Sequence, residues 1–239
     1  MIILVIKFKI LLNLFSTHKI ACSLQSGKFL YYGNFDVVNN GIDLNKFAYS
    51  EQFRNEIRKQ YQIKSNEKVI GHVGRFVDVK NHNFIIDILK KISDSNYEVK
   101  LLLVGDGPNM HDIKEKVKKY HLLDNVIFVG NVSDSYKYYS AMDLLFFPSL
   151  YEGIPLTLIE AQANGLSIVA SNKIDEKVKL TDKIVFFDLN DNVESIILLI
   201  KNSLSNSNHI INFNKLLNSD YSIHKTVKKL ENIYSGKVK

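Results

Sequence analysis

The 239-residue chain is poor in several features at once. It has one cysteine, Cys22, which excludes a disulfide framework and a multi-cysteine zinc site. Three prolines and eleven glycines are too few for a collagen-like or linker composition. The apolar stretch from Met1 to Phe15 is broken by Lys7 and Lys9 and falls short of the ~18–20 residues that a bilayer span needs. No internal repeat and no low-complexity tract stands out. Six of the seven histidines, His18, His82, His111, His121, His209 and His224, show no metal-ligand spacing.

What the chain does contain is ordinary for a folded protein. Hydrophobic residues make up 46% and charged residues 23%, enough apolar surface to offset the ordering entropy that keeps tail-like sequences unfolded. At about 150 residues per domain the length implies one large domain, or one domain and a fragment. Lys and Arg number 31 against 25 Asp and Glu, a net charge of +6. That excess favours anionic partners: phosphate esters, nucleic acid or an acidic membrane surface. Because the basic residues are interspersed with acids and no recognition motif appears, nucleic acid is not expected as a partner. In the segment Met1–Phe15 the charges sit in the middle rather than ahead of the apolar core, unlike a signal peptide. It reads as a strand or helix buried in the fold, with a membrane-surface helix or a signal as alternatives. Cys22 reads as a buried small hydrophobe.

From residue 69 onward a rhythm sets in. Short solid apolar runs at Val69–Val73, Val99–Val104, Val126–Val129, Leu144–Phe147, Ser167–Ala170 and, more weakly, Ile184–Phe187 alternate with helical spacing. The helical stretches are Asn81–Lys91, Met110–Tyr120, Ser133–Met142 and Pro155–Asn164, the last stopped by Gly165. Solid apolar strands are buried on both faces, and strands alternating with helices imply crossover units. Residues 42–205 therefore read as a doubly wound parallel α/β sheet. Residues 206–239 form a helical tail ending in Ile223–Tyr234, and residues 1–41 hold one further short βαβ unit followed by a turn at Asn39-Asn40-Gly41. Ligands of such sheets sit beyond the carboxyl ends of the strands. The loops to search are thus 74–80, 105–108, 130–133, 148–155 and 171–177.

Three constellations in those loops carry chemistry. In Gly71-His72-Val73-Gly74-Arg75 with Lys80, a planar guanidinium fork and a point charge follow a strand end, a pair suited to a diphosphate; a surface Arg and Lys on a loop is the plainer alternative. His72 there reads as structural or as a ligand contact. In Tyr151-Glu152-Gly153-Ile154-Pro155-Leu156-Thr157-Leu158-Ile159-Glu160-Ala161, a helix opens at a strand's carboxyl end, where free amides hold anions. Glu152 and Glu160 flank that positive terminus, and carboxylates accept sugar hydroxyls; both ligand types together suggest a sugar nucleotide. Glu160 sits in a largely apolar stretch and needs a polar partner. In Val104-Gly105-Asp106-Gly107-Pro108 the glycines serve a tight turn or a close approach to ligand. The run Lys114–Lys119 reads as a solvated helix face, with a membrane-facing basic patch as the alternative.

The arrangement GRxxxxK, then VGDGP, then DLLFFPSLYEGIPLTLIEAQANGLSIVAS resembles the retaining GT-B glycosyltransferases of family 4, most of all the bacterial exopolysaccharide and capsule branch. The resemblance implies a Rossmann-like carboxyl-terminal half of a GT-B fold and a nucleotide diphosphate sugar as donor, a UDP-sugar in the first instance. Arg75 and Lys80 match the cations that hold the donor diphosphate, and Glu152 the acid at the donor sugar; these three are the candidate catalytic residues. Gly74 and the stretch Gly153, Ile154, Pro155, Leu156 and Thr157 match the phosphate and sugar cradle. Glu160 matches the acid on the ribose hydroxyls, and Asn131 and Val132 match the region that meets the base. The resemblance implies no bound metal and no other cofactor, and the chain contains no Asp-x-Asp motif. It implies a saccharide or lipid-linked acceptor and a cytoplasmic location, with peripheral contact on the inner face of the plasma membrane as a further option.

One departure from the pattern is large. In this family an amino-terminal domain holds the acceptor, and here residues 17–41 resemble only its last strand, helix and strand and the hinge. The expectation is that the donor nucleotide still binds, that transfer by the chain alone is very low or nil, and that a separate amino-terminal half is a candidate partner. Two other readings remain: a non-catalytic nucleotide-sugar-binding subunit, and a glycoside hydrolase using Glu152 and Glu160 as an acid/nucleophile pair.

Overall fold

A computed structural model describes residues 2–95 and 97–236, and the side chains from residue 8 onward within them. The chain divides into two compact units, one of residues 44–213 and one that joins residues 1–43 to residues 214–239.

The larger unit is built on a six-stranded sheet. Its strands are β3 (Lys68–Val73), β4 (Val99–Val104), β5 (Val126–Gly130), β6 (Leu144–Phe147), β7 (Ser167–Ser171) and β8 (Ile184–Phe187). They run in the order β5-β4-β3-β6-β7-β8 with every pairing parallel. The chain winds outward from β3 to β5, then returns past β3 and winds the other way from β6 to β8, which is the doubly wound order the sequence rhythm implies. Side chains alternate faces along a strand, yet Leu144, Leu145, Phe146 and Phe147 are all at most 1% exposed, so both faces of β6 are covered. Two groups of helices do the covering. α4 (His82–Asp94), α5 (Met110–Lys119) and α8 (Val193–Ser205) pack on one another, as do α3 (Glu51–Gln60), α6 (Ser135–Ala141) and α7 (Leu156–Asn164). The first group joins β3, β4 and β6 in a core that includes Ile85, Leu89, Ile92, Val117, Ile196 and Ile200.

Buried charge ties α3 to the sheet. Asp143, just before β6, accepts from Arg54 Nη2 and Arg58 Nη2 at 2.8 Å each and from the Val69 amide at 2.7 Å. The carboxylate thus accepts from two guanidinium groups and from an amide at the start of β3.

The smaller unit pairs β1 (Ile20–Ala21) with β2 (Asp36–Val37) in parallel across α2 (Leu24–Leu30). Ser23 and Ser26 close a reciprocal cap at the start of α2. The carboxyl-terminal helix α10 (Ile223–Tyr234), which follows the short α9 (Phe213–Leu217), docks on the segment after β2. Ile42 N donates to Tyr221 O at 2.9 Å, Ile223 N to Ile42 O at 3.0 Å, and Lys229 Nζ to Val37 O at 2.6 Å.

Two expectations fail here. Cys22 is exposed, because β1 ends at Ala21 and Cys22 lies in the turn that leads to the cap of α2. The amino-terminal stretch is helical, α1 (Ile2–Phe15), but it is not buried: Leu14 and Phe15 are 71% and 78% exposed. Among the described residues, no helix is long and apolar enough to cross a membrane.

The turn after β4 shows what Gly105 and Gly107 do. Gly105 has φ +135°, and a Cβ there would lie 2.1 Å from the Gly74 carbonyl oxygen. A Cβ on Gly107 would lie 2.5 Å from the Phe76 carbonyl oxygen. Both glycines let the loop after β4 press against the loop after β3, backbone on backbone. Gly105→Ala is therefore expected to cost about 2–4 kcal/mol in urea unfolding, while Gly153→Ala, whose Cβ meets open space, changes stability by less than about 0.5 kcal/mol. Equal effects from the two substitutions contradict this account.

Candidate functional site

The site lies where the winding of the sheet reverses, beyond the carboxyl ends of the neighbouring strands β3 and β6. The loops that leave these strands are stitched together. Leu150 N donates to Val79 O at 2.9 Å and Asn81 Nδ2 to Pro148 O at 3.2 Å. Gly74 N in turn donates to Val104 O, and Gly105 N to Gly130 O, both at 2.9 Å. Three successive strand ends thus share one backbone-bonded wall.

A cavity of about 620 Å³ opens along that wall. Gly74, Arg75, Asp106, Asn131, Val132 and Ser135 line it, with Val73 and the Val104–Pro108 turn behind them. The structure thus brings Gly74, Arg75, Asn131 and Val132 together in one place. Arg75 is exposed and, among the described residues, makes no ion pair, so its fork is free for an anion.

Lys80 and Glu152 are brought together differently. Lys80 Nζ lies 2.6 Å from Glu152 Oε1 and 4.7 Å from the centre of the Phe147 ring. The side chains are only 15% and 16% exposed, so water screens the pair weakly. The two charges thus neutralise one another, and neither residue is among those that line the cavity.

Helix α7 starts at Leu156, one residue later than its periodicity suggests, with Pro155 as its extended N-cap. Pro155 has no N–H, so the cradle stretch offers amides from Gly153, Ile154, Leu156 and Thr157 only. No side chain caps this end. Gly153 is exposed and Ile154 half-buried.

One turn further on, Glu160 has the polar partner its apolar setting demands. Tyr139 Oη donates to Glu160 Oε2 at 2.5 Å. Burial pushes the Glu160 carboxyl up from its ordinary value, and the Tyr139 hydrogen bond opposes that rise. Burial and the neighbouring carboxylate push the Tyr139 phenol well up, so it stays protonated and donates. Tyr139 is the residue the sequence did not reveal. The signal available was the requirement for a partner, but Ser135–Ala141 contains Tyr136, Tyr138 and Tyr139, and only the fold selects among them. Glu152 turns to Lys80 and Glu160 to Tyr139, so each carboxylate has its own partner.

Under the site lie two imidazoles. His72 on β3 faces the Phe146 carbonyl with Nδ1 at 2.9 Å, which makes Nδ1 the protonated nitrogen. His82 stacks on Phe76 at 4.0 Å and meets His72 edge-on at 4.7 Å. Among the described residues, His72 Nε2 and both His82 nitrogens have no hydrogen-bond partner. Burial, and then the charge of Lys80, holds His82 down at about 4; burial, and then His82, holds His72 well below the ordinary value. Among the described residues, no three His, Cys, Asp or Glu side chains gather to hold a metal ion.

Residues 53–215 match the family described as Glycosyl transferases group 1. EpsF of Bacillus subtilis, named as a glycosyltransferase, is 36% identical over 182 residues, covering 74% of this chain and 47% of its own length. The UDP-Gal:alpha-D-GlcNAc-diphosphoundecaprenol alpha-1,3-galactosyltransferase of Escherichia coli is 30% identical over 206 residues, covering 83% of this chain and 53% of its own. The chain therefore spans about half the length of the curated relatives it matches. Anabaena HepE in complex with UDP-glucose superposes with a TM-score of 0.78 at 21% identity, over 97% of this chain and 67% of that one. Sucrose-phosphate synthase from Thermosynechococcus elongatus gives 0.79 at 21% identity, over 97% and 61%. At these identities the two structures show the fold.

The buried histidines generate a pH prediction. Each is held neutral in the folded chain but takes a proton near pH 6.5 when unfolded, so the unfolded state binds more protons as pH falls. Stability is then full above pH 6.5 and declines toward pH 4, at up to about 1.4 kcal/mol per pH unit for each such group. His82→Gln is expected to flatten that decline between pH 6.5 and 4 in urea titrations. A slope unchanged from the parent protein contradicts it.

Proposed function

The chain belongs to the group 1 glycosyl transferases, and from that premise we propose that the wall beyond β3 and β6 is the donor site for a nucleotide diphosphate sugar. The observation that carries this reading is the convergence, at the reversal of the sheet, of the Arg75-lined cavity, the Lys80–Glu152 pair and the uncapped start of α7. A diphosphate takes the Arg75 fork, the Lys80 ammonium and the free amides between Gly153 and Thr157. Glu152, released from Lys80 as the phosphate takes that cation, accepts from the donor sugar hydroxyls. Glu160 accepts from the ribose, and Asn131 and Val132 flank the base.

The catalytic logic is electrostatic. Breaking the sugar–phosphate bond builds negative charge on the leaving diphosphate, and fixed donors aimed at that charge lower the barrier by ~3–4 kcal/mol each in well-studied cases. Arg75 and Lys80 supply that stabilisation without a bound metal. Glu152 has no nucleophilic role in this scheme, because retention with front-face attack brings the acceptor hydroxyl in beside the departing diphosphate oxygen. The acceptor is a saccharide, free or lipid-linked, as the names of the relatives suggest. An amino-terminal half, in the same or another chain, completes the acceptor side.

The test is binding before turnover. UDP or GDP is expected to raise the melting temperature saturably and without response to EDTA. Arg75→Ala and Glu160→Ala are each expected to weaken that binding by about 10–100-fold. No shift with any nucleoside diphosphate defeats the proposal. The chain alone is expected to transfer no sugar above background from a UDP-sugar, and measurable turnover would remove the need for a second half.

A further inference from the structure

We propose that Tyr139 is a positioning residue that locks Glu160 so that a single carboxylate oxygen faces the donor ribose, making the Tyr139–Glu160 pair a device for selecting ribose over deoxyribose. The proposal rests on the reading of Glu160 as the ribose acceptor.

Glu160 is a carboxylate with two acceptor oxygens on a helix whose neighbouring residues, Leu158, Ile159 and Ala161, are fully buried. An unrestrained carboxylate there rotates about its terminal bond, and a ribose hydroxyl then has to compete for whichever oxygen is presented. Tyr139 removes that freedom. Its ring is 0% exposed, set edge-on to Phe47 at 5.9 Å, so the phenol has one position. From it, Oη donates its only hydrogen to Oε2 at 2.5 Å. Among the described residues no hydrogen bond reaches Oε1, which is left as the oxygen for a ligand hydroxyl.

A merely structural tyrosine would support the packing of α6 on α7 and weaken every nucleotide alike when altered. A positioning tyrosine changes the preference between sugars. The experiment is calorimetric titration of the parent protein, Tyr139→Phe and Glu160→Gln with the tighter of UDP and GDP and with its 2′-deoxy form. The parent is expected to bind the ribose form about tenfold or more tightly. Tyr139→Phe is expected to reduce that ratio to about two or less, and so is Glu160→Gln, whose amide oxygen takes the Tyr139 hydrogen and leaves an NH2 in place of the free oxygen. Glu160→Gln keeps the shape of the side chain and the Tyr139 ring, so it serves where Tyr139→Phe folds poorly. If the parent discriminates and either variant keeps its ratio while losing affinity for both ligands, the inference is overturned. If the parent binds nucleotide but does not discriminate, the reading of Glu160 falls and takes the inference with it. If the parent binds no nucleotide, the donor site itself is wrong.

Discussion

The parallel pairing of β3 with β6 is the constraint on which everything functional depends. Ile70 and Gly71 lie beside Leu144 and Leu145, and at that seam the chain stops winding one way and starts winding the other. Crossovers elsewhere in the sheet fill the space above a strand pair with the next helix. At a reversal the helices depart in opposite directions and leave a crevice. The crevice is held open by apolar strands that have no alternative to burial, since an exposed Phe146 or Phe147 would give up its place in the core. The free energy that maintains the site is thus hydrophobic and remote from it, and the polar groups at the rim need only be aimed.

How they are aimed is a matter of paired charges. Left alone, a lysine ammonium and a glutamate carboxylate this close to the protein interior would each pay for desolvation; facing one another at 2.6 Å over the Phe147 ring, they offset it. Each group holds the other in place. Glu160 is handled by another route, a neutral donor rather than a cation. Two acids eight residues apart on the chain therefore have different partners.

Most of the architecture was legible in the sequence, because solid apolar runs such as Val99–Val104 admit few other readings and the strand found there has those bounds. The family was legible for a different reason: spacing among Gly74, Arg75, Lys80, Glu152 and Glu160 is fixed by the strand-to-helix turns that carry them. Three things were not legible. The exposure of Cys22 depended on a strand that ends at Ala21, a boundary no periodicity marks in so short an element. The exposure of α1 could not be read because an apolar sequence states what would favour burial, not whether anything is present to cover it. The partnerships of Lys80 with Glu152 and of Glu160 with Tyr139 are contacts across 72 and 21 residues, and pairing at such separations is set by the sheet rather than by local pattern.

The slipped register where β4 leaves β5 gives the cavity its character. Leu103 lies beside Phe128, but Val104 lies beside Gly130, and Gly105 then bonds to the same glycine. Gly105 beyond that step, together with Gly74 and Gly107, lines the cavity without a side chain, so part of the surface there is peptide. A surface made of peptide is insensitive to drift in the residues behind it. A lineage can exchange the side chains around such a rim, and with them the molecules it prefers, while the floor keeps its shape.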